Sequence, residues 1–287
     1  MRRAIAILLL ASCIYGLDII VVKDGLQKGI EPLAFSLLRT ALALVITAPY
    51  LVSKNRDSLP SLSLPIVLRM AVIGVVAEGV VIMLLFWGQH HTTAVNAGFL
   101  IRLTFLFTFP FAYVVAGERV GRIILPAAAL MLGGAFFIST GGTLERPMSG
   151  DFAIIGAALC LGFTNAYAKR LMRYLRPDEV TLGRFVFGTL FLSLVLLGSV
   201  WGDIRSVTAF QARSIVLSAL LYASFVLLFY RGIGMAGPNI AAMLFTTGAV
   251  FSAVFAVVLL GEGFTWAHLL GAVLLIGGAA AVTARRA

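Results

Sequence analysis

The chain reads as long apolar runs divided by short polar or turn-forming stretches, without the strict alternation of a half-buried strand. Crossing the hydrocarbon of a bilayer takes about 20 apolar residues in helical form. Ten such segments can be laid along the 287 residues, near 4–22, 32–52, 66–88, 94–115, 122–140, 150–168, 178–200, 213–231, 238–260 and 266–283. Turn residues fall between them, among them Pro60, Pro65, Gly117, Gly121, Pro177, Gly202, Gly237, Pro238 and Gly261. The pattern predicts an all-α polytopic membrane protein; a lipid-spanning barrel would need dyad alternation.

The chain also repeats itself. GERVGRIILPAAALMLGGA, Gly117 to Ala135, returns as GEGFTWAHLLGAVLLIGGA, Gly261 to Ala279, 144 residues later. Leu85-Phe86-Trp87-Gly88 answers to Phe229-Tyr230-Arg231-Gly232 at the same offset. Pro32-x6-Arg39 answers to Pro177-x6-Arg184 at 145, and Tyr15-Gly16 through Lys23 to Leu161-Gly162 through Lys169 at 146. Four matches in one order divide the chain into halves of 1–145 and 146–287. Five helices per half is an odd number, so the second half enters the membrane upside down. Such inverted repeats place a substrate site near mid-membrane at the repeat interface and suit alternating access.

Composition agrees: 61% hydrophobic, 12% charged, mean hydropathy +1.04. In a soluble protein the net charge of +10 and pI near 10.2 would suggest nucleic acid; here the basic residues fit loops beside anionic lipid. One side would hold Arg2, Arg3, Lys54, Arg56, Arg69, Arg119, Arg122, Lys169, Arg170, Arg173, Arg176, Arg231, Arg285 and Arg286. The other would hold Lys23, Lys28, Arg146, Arg205 and Arg213. That bias puts both termini in the cytoplasm. Cys13 and Cys160 fall in matching apolar helices and read as packing residues.

With these features the chain resembles the EamA-type drug/metabolite transporter superfamily. The resemblance rests on the Gly…Lys first helix, the Pro-x6-Arg second helix and the Gly-Glu…Gly-Gly last hairpin, each present twice. Within that superfamily it is most similar to the YddG-type bacterial exporters of aromatic and other amino acids. The resemblance implies a central cavity built from helices 1–4 and 6–9, a location in the bacterial inner membrane, and a small-molecule substrate.

Ionisable groups inside spans are costly and become functional candidates by default. Glu78 and Arg102 fall at similar depths in the third and fourth helices, so three readings stand: a neutralising ion pair, ligands for a zwitterionic substrate, or a solvated lining. Their repeat mates are Tyr222 and Thr246, so the ionisable pair belongs to one half only. Asp18 and Arg39 form a comparable pair; since arginine recurs at Arg184, gating or structure suits Arg39 and Arg184. Lys23 and Lys169 sit at helix ends and read as snorkelling or gating residues. Glu118 and Glu262 open the last helix of each half, where the helix dipole favours a carboxylate.

Tyr15, Phe163, Tyr167 and Tyr222, with Asn165, lie deep enough to line a cavity, whereas Trp87 and Tyr230 suit an interfacial belt. Pro110 removes a backbone bond within the fourth helix and predicts a kink or hinge. His90 and His91 have no nearby ligand partner, so no metal site is expected, and nothing calls for a cofactor. Small residues four apart, Ala267/Gly271 and Gly277/Ala281, permit close packing within the chain or a homodimer through helices 5 and 10. No P-loop, Ser-His-Asp or HExxH arrangement appears. The expectation is a secondary exporter of small amphipathic metabolites, amino acids foremost, with a channel-like facilitator or an exporter of another metabolite or drug class as the alternative.

Overall fold

The computed structural model describes residues 1–54, 63–119, 121, 124–143 and 145–284. Arg56, Pro60, Arg122, Arg285 and Arg286, read above as connection or cytoplasmic residues, lie outside them. The described residues form ten helices: α1 Arg2–Gln27, α2 Pro32–Lys54, α3 Leu64–His90, α4 Val95–Ala116, α5 Ile124–Thr140, α6 Ser149–Leu171, α7 Pro177–Ser206, α8 Ala209–Ala236, α9 Pro238–Leu260 and α10 Trp266–Ala284. Nine are long and apolar enough to span a membrane; α5, at 17 residues, is shorter.

Several helices overrun the apolar runs that marked them. Helix α1 continues through Lys23 and Asp24 to Gln27, and α7 continues through Asp203 and Arg205 to Ser206. Hydropathy marks only the part facing hydrocarbon, while backbone hydrogen bonding carries the helix on through interfacial polar residues. Pro32 and Pro177 each open the second helix of their half, where a missing N–H costs nothing.

The two halves pack across each other in matched pairs. Helix α1 lies on α8 and α9, while α6 lies on α3 and α4; α2 meets α7 and α5 meets α10. The matching extends to single atoms. A Cβ on Gly16 would stand 2.8 Å from Phe251 Cβ and 2.9 Å from Ser252 N; one on Gly162 would stand 2.8 Å from Phe107 Cβ and 2.9 Å from Thr108 N. These positions correspond at the repeat offsets, so the halves are related by a pseudo-two-fold axis. Any other residue at Gly16 or Gly162 would force the helices apart.

Helices α4 and α9 are interrupted at the same level. Helix α4 tightens to a 3₁₀ turn at Ile101–Leu103, and α9 breaks at Thr247 between Thr246 and Gly248. Pro110 does not end α4. The helix passes through it and widens into a π turn at Ala112–Ala116 shortly afterwards.

The doubled Gly-Gly-Ala stretch packs α5 against α10 inside one chain. A Cβ on Gly134 would lie 2.7 Å from Gly271 O, and the matching approach brings a Gly278 Cβ within 2.9 Å of Ala127 O. Nothing lies within 4 Å of a Gly277 Cβ. Replacing Gly134 with Leu is therefore expected to destabilise the fold by about 1–3 kcal/mol through overpacking. Gly277→Leu should leave thermal unfolding in detergent almost unchanged. Equal melting shifts for the two variants would refute this internal packing.

Candidate functional site

A π-helical turn, Val75–Val80, sits in the middle of α3 and carries Glu78. Inserted turns of this kind displace side chains from the regular helical face and are frequent at functional sites. Gly188 on α7 leaves room for the carboxylate stem: a Cβ there would stand 2.5 Å from Glu78 Cβ and Cγ. Glu78 is fully buried. Its Oε1 accepts from Arg184 Nε at 2.5 Å and from Tyr222 Oη at 2.5 Å, while Arg184 Nη2 donates to Tyr222 Oη at 2.8 Å. Arg184 Nη1 reaches Tyr230 Oη at 3.3 Å. Glu78 Oε2 is buried without a partner among the described residues.

Glu78 and Tyr222 are repeat mates, and they touch. Residues related by a two-fold axis can meet only on that axis, so this contact marks the centre of the bundle. The flanking arginines obey the same relation: Arg184 pairs with Glu78, and Arg39 lies over the Tyr222 ring with Cζ 4.2 Å from its centroid. Arg39 Nη1 also meets Asp18 Oδ2 at 3.4 Å, and Asp18 Oδ1 accepts from Ser218 Oγ at 2.5 Å.

The pairing of Glu78 with Arg102, one of the readings open from the sequence, is not formed. Depth was right but azimuth was not: the π turn points Glu78 across the axis to α7. Arg102, on the 3₁₀ turn of α4, instead donates from Nε to Ser139 Oγ of α5 at 3.1 Å. Tyr230 is fully buried, so the interfacial-belt reading fails for it, while Trp87 is exposed as a belt residue would be. Phe163 and Tyr167 stack on each other at 5.4 Å, away from the centre; Tyr167 lines a separate small recess with Arg69 and Tyr174. Asn165 does reach the central space.

That central space is lined by α1–α4 and α6–α9. Its main chamber, about 500 Å³, is bordered by Tyr15, Ile19, Gln89, Arg102, Phe105, Phe245 and Thr246, among others. A recess of about 120 Å³ borders Glu78, Arg39, Arg184, Tyr222 and Asn165, and shares Tyr15, Leu85, Thr104, Leu161 and Phe245 with the chamber. Gln89 is exposed at the bundle end opposite the chain termini, so the chamber reaches that face. Its floor is a ring cluster: Tyr15 stands 4.7 Å from Phe245 and 4.8 Å from Phe225, and Phe229 stands 5.3 Å from Phe245. Leu228, next to Phe229, lines a different cavity of about 660 Å³ at the terminal end.

That terminal cavity is basic, bordered by Arg3, Lys54, Lys169, Arg173 and Arg231. Lys54 and Arg231 converge on Asp178, with Arg231 Nε 2.8 Å from Oδ1. Asp178 was not singled out from the sequence, because its partners lie on α2 and α8. Lys169 donates to Gly234 O at 2.7 Å and Ile233 O at 3.3 Å, whereas its mate Lys23 pairs with Glu262. Neither lysine simply snorkels.

Removing one partner of a buried ion pair costs about 3–5 kcal/mol because the other charge is stranded. Glu78→Ala should lower stability by that order in a detergent melt, leaving Arg184 buried. Glu78→Gln combined with Arg184→Gln should recover much of the loss. A double variant as unstable as Glu78→Ala would show that the pair is not what the alanine variant disrupts.

Comparison with known proteins agrees with the two-fold reading. A solved crystal structure matches with a TM-score of 0.78 over 99% of this chain and 96% of its own, at 17% identity, a likeness of fold. An uncharacterized transporter of Methanothermobacter thermautotrophicus is 24% identical over 209 residues, covering 68% of this chain and 58% of that protein. A WAT1-related protein of Arabidopsis thaliana is 28% identical over 158 residues, covering 52% of this chain and 42% of that protein. The matched regions thus span less than two thirds of either relative's length. The EamA-like transporter family matches twice, over residues 2–140 and again over 148–284. With both five-helix halves matched in a ten-helix bundle around a central cavity, the chain belongs to the EamA-like transporter family of the drug/metabolite transporter superfamily.

Proposed function

We propose that the protein exports small amphipathic metabolites, neutral and aromatic amino acids foremost, by alternating access in a bacterial inner membrane with both termini cytoplasmic. The observation that carries this reading is the aromatic-walled chamber on the pseudo-two-fold axis. Its volume of about 500 Å³ suits a cargo of amino-acid size. Tyr15, Phe105 and Phe245 offer flat apolar contact, Arg102 offers a charge to a carboxylate, and the adjoining recess holds Glu78. A ligand on such an axis meets equivalent helices whichever half has moved.

The ends of the bundle support the same reading. Lys23 and Lys169 are repeat mates, yet one pairs with a carboxylate and the other caps backbone carbonyls of α8. Two related halves with different partners at matched positions are expected of a carrier resting in one of two conformations. Interrupted helices at the level of Arg102 and Thr246 give the bundle places to bend. Arg39, Arg184, Lys23 and Lys169 belong to this scaffold and gate, with Pro110 beside the π turn of α4.

Purified protein in liposomes should move phenylalanine, methionine or threonine with saturable kinetics. Tyr15→Ala, which opens the floor and removes a stacking face, should cut that flux by about tenfold or more, since a lost aromatic contact and its buried area together reach that scale. Non-saturating flux would favour a channel-like facilitator. Saturable transport confined to non-amino-acid compounds would leave the transporter in place and remove the amino-acid assignment.

A further inference from the structure

The charged residues around the central chamber and its recesses do not balance. Among the described residues lining them, the acids are Asp18 and Glu78, and the bases are Arg39, Arg102 and Arg184. Asp18 is matched by Arg39, and Glu78 by Arg184. Arg102 is left over. Its only hydrogen-bond partner among the described residues is the neutral Ser139 Oγ, at 3.1 Å through Nε. Its position is partly open rather than sealed, and it borders the main chamber. An arginine keeps its charge at any ordinary pH and presents a planar fork of donors. At membrane depth such a charge requires a counter-ion.

We infer that Arg102 is the carboxylate subsite of the transporter, and that its cargo is defined by a carboxylate on an apolar or aromatic body, with the amino group dispensable. The inference rests on the metabolite-export reading and narrows it. Ser139 holds the Nε edge of the guanidinium, which leaves the Nη atoms to meet a carboxylate in the bidentate geometry that arginine favours. Phe105 and Phe245 border the same chamber and offer ring surface to the cargo's apolar part. A monocarboxylate completes the charge balance, and an amine would increase the imbalance. Glu78 Oε1 already accepts from Arg184 and Tyr222, so an ammonium group would add at most a contact to Oε2. The second half gives no duplicate of this subsite. Its matching position is Thr246, on the facing break in α9, so the cargo has one orientation on an otherwise two-fold axis.

Three compounds with one phenyl body separate the charges: phenylalanine, 3-phenylpropanoate and phenethylamine. Binding is read by ligand-induced thermal stabilisation and by titration calorimetry on the purified full chain. Phenylalanine and 3-phenylpropanoate should bind, and phenethylamine should bind about tenfold more weakly or not at all, the scale of one charged hydrogen bond. Arg102→Gln should weaken both carboxylates by the same factor, and Arg102→Lys should restore part of the loss. Thr246→Asp places an internal carboxylate on the same chamber and should abolish carboxylate binding even if Arg102→Gln does not fold. Phenethylamine binding as well as 3-phenylpropanoate, or carboxylate binding that survives both Arg102→Gln and Thr246→Asp, would overturn the inference. If wild-type protein bound none of the three yet transported another metabolite, the amino-acid reading would fail. The subsite would then stand if that metabolite were anionic and lost by Arg102→Gln, and fall otherwise.

Discussion

One buried contact organises this bundle: Glu78 of the first half against Arg184 and Tyr222 of the second. Three helices, α3, α7 and α8, are tied by it at a point where neither water nor lipid can substitute. Charges at that depth require pairing, and the geometry provides it through one carboxylate oxygen, Oε1. The surrounding features serve the same constraint. A π turn swings Glu78 inward, Gly188 clears its stem, and Tyr222 lies between two guanidinium groups. Because Glu78 and Tyr222 are repeat mates, the contact also locates the axis that relates the two halves.

A chemically asymmetric pair at a symmetric point has consequences for transport. A perfect two-fold would offer cargo two equivalent poses. Here the first half supplies an acid at position 78 and a base at position 102, and the second supplies a phenol and a hydroxyl. The scaffold retains the symmetry that the proposed alternating access requires, while the chamber lacks it, which under the proposal orients the cargo. The aromatic floor formed by Tyr15, Phe225, Phe229 and Phe245 divides that chamber from the basic cavity at the terminal end. In the alternating access proposed here, exchanging the conformations of the halves moves the barrier to the other side without rebuilding the site.

Much of the fold was legible in the sequence because hydropathy and duplication are properties of the chain alone. The ten apolar runs correspond to the ten helices, and the offset near 144 makes Tyr222 the mate of Glu78. Partner choice was not legible. Helical depth follows from counting residues, but azimuth depends on local irregularity, and nothing in Val75–Val80 signalled the π turn that turned Glu78 from Arg102 toward Arg184. Phe163 and Tyr167, on the unbroken helix α6, stack on each other and border neither the chamber nor the Glu78 recess; counting residues gave their depth but not which face of the helix meets the axis. Tyr230 looked interfacial from its closeness to the helix end; α8 runs on to Ala236 and buries it beside Arg184. The Asp178 cluster joins α7 to its neighbour α8 and to the distant α2 of the first half, through residues 53 and 124 positions away, and only the packing brings them together.

The central claim is that a single chamber on the pseudo-two-fold axis is reached alternately from the two faces of the membrane. Thr104 borders both the main chamber and the Glu78 recess. The most direct measurement is thiol labelling of Thr104→Cys, in a chain whose Cys13 and Cys160 are replaced by serine, with a membrane-impermeant reagent applied from each face of oriented vesicles. The account predicts labelling from both faces, with protection by transported cargo on each. Labelling from one face only, under conditions where transport proceeds, would contradict it.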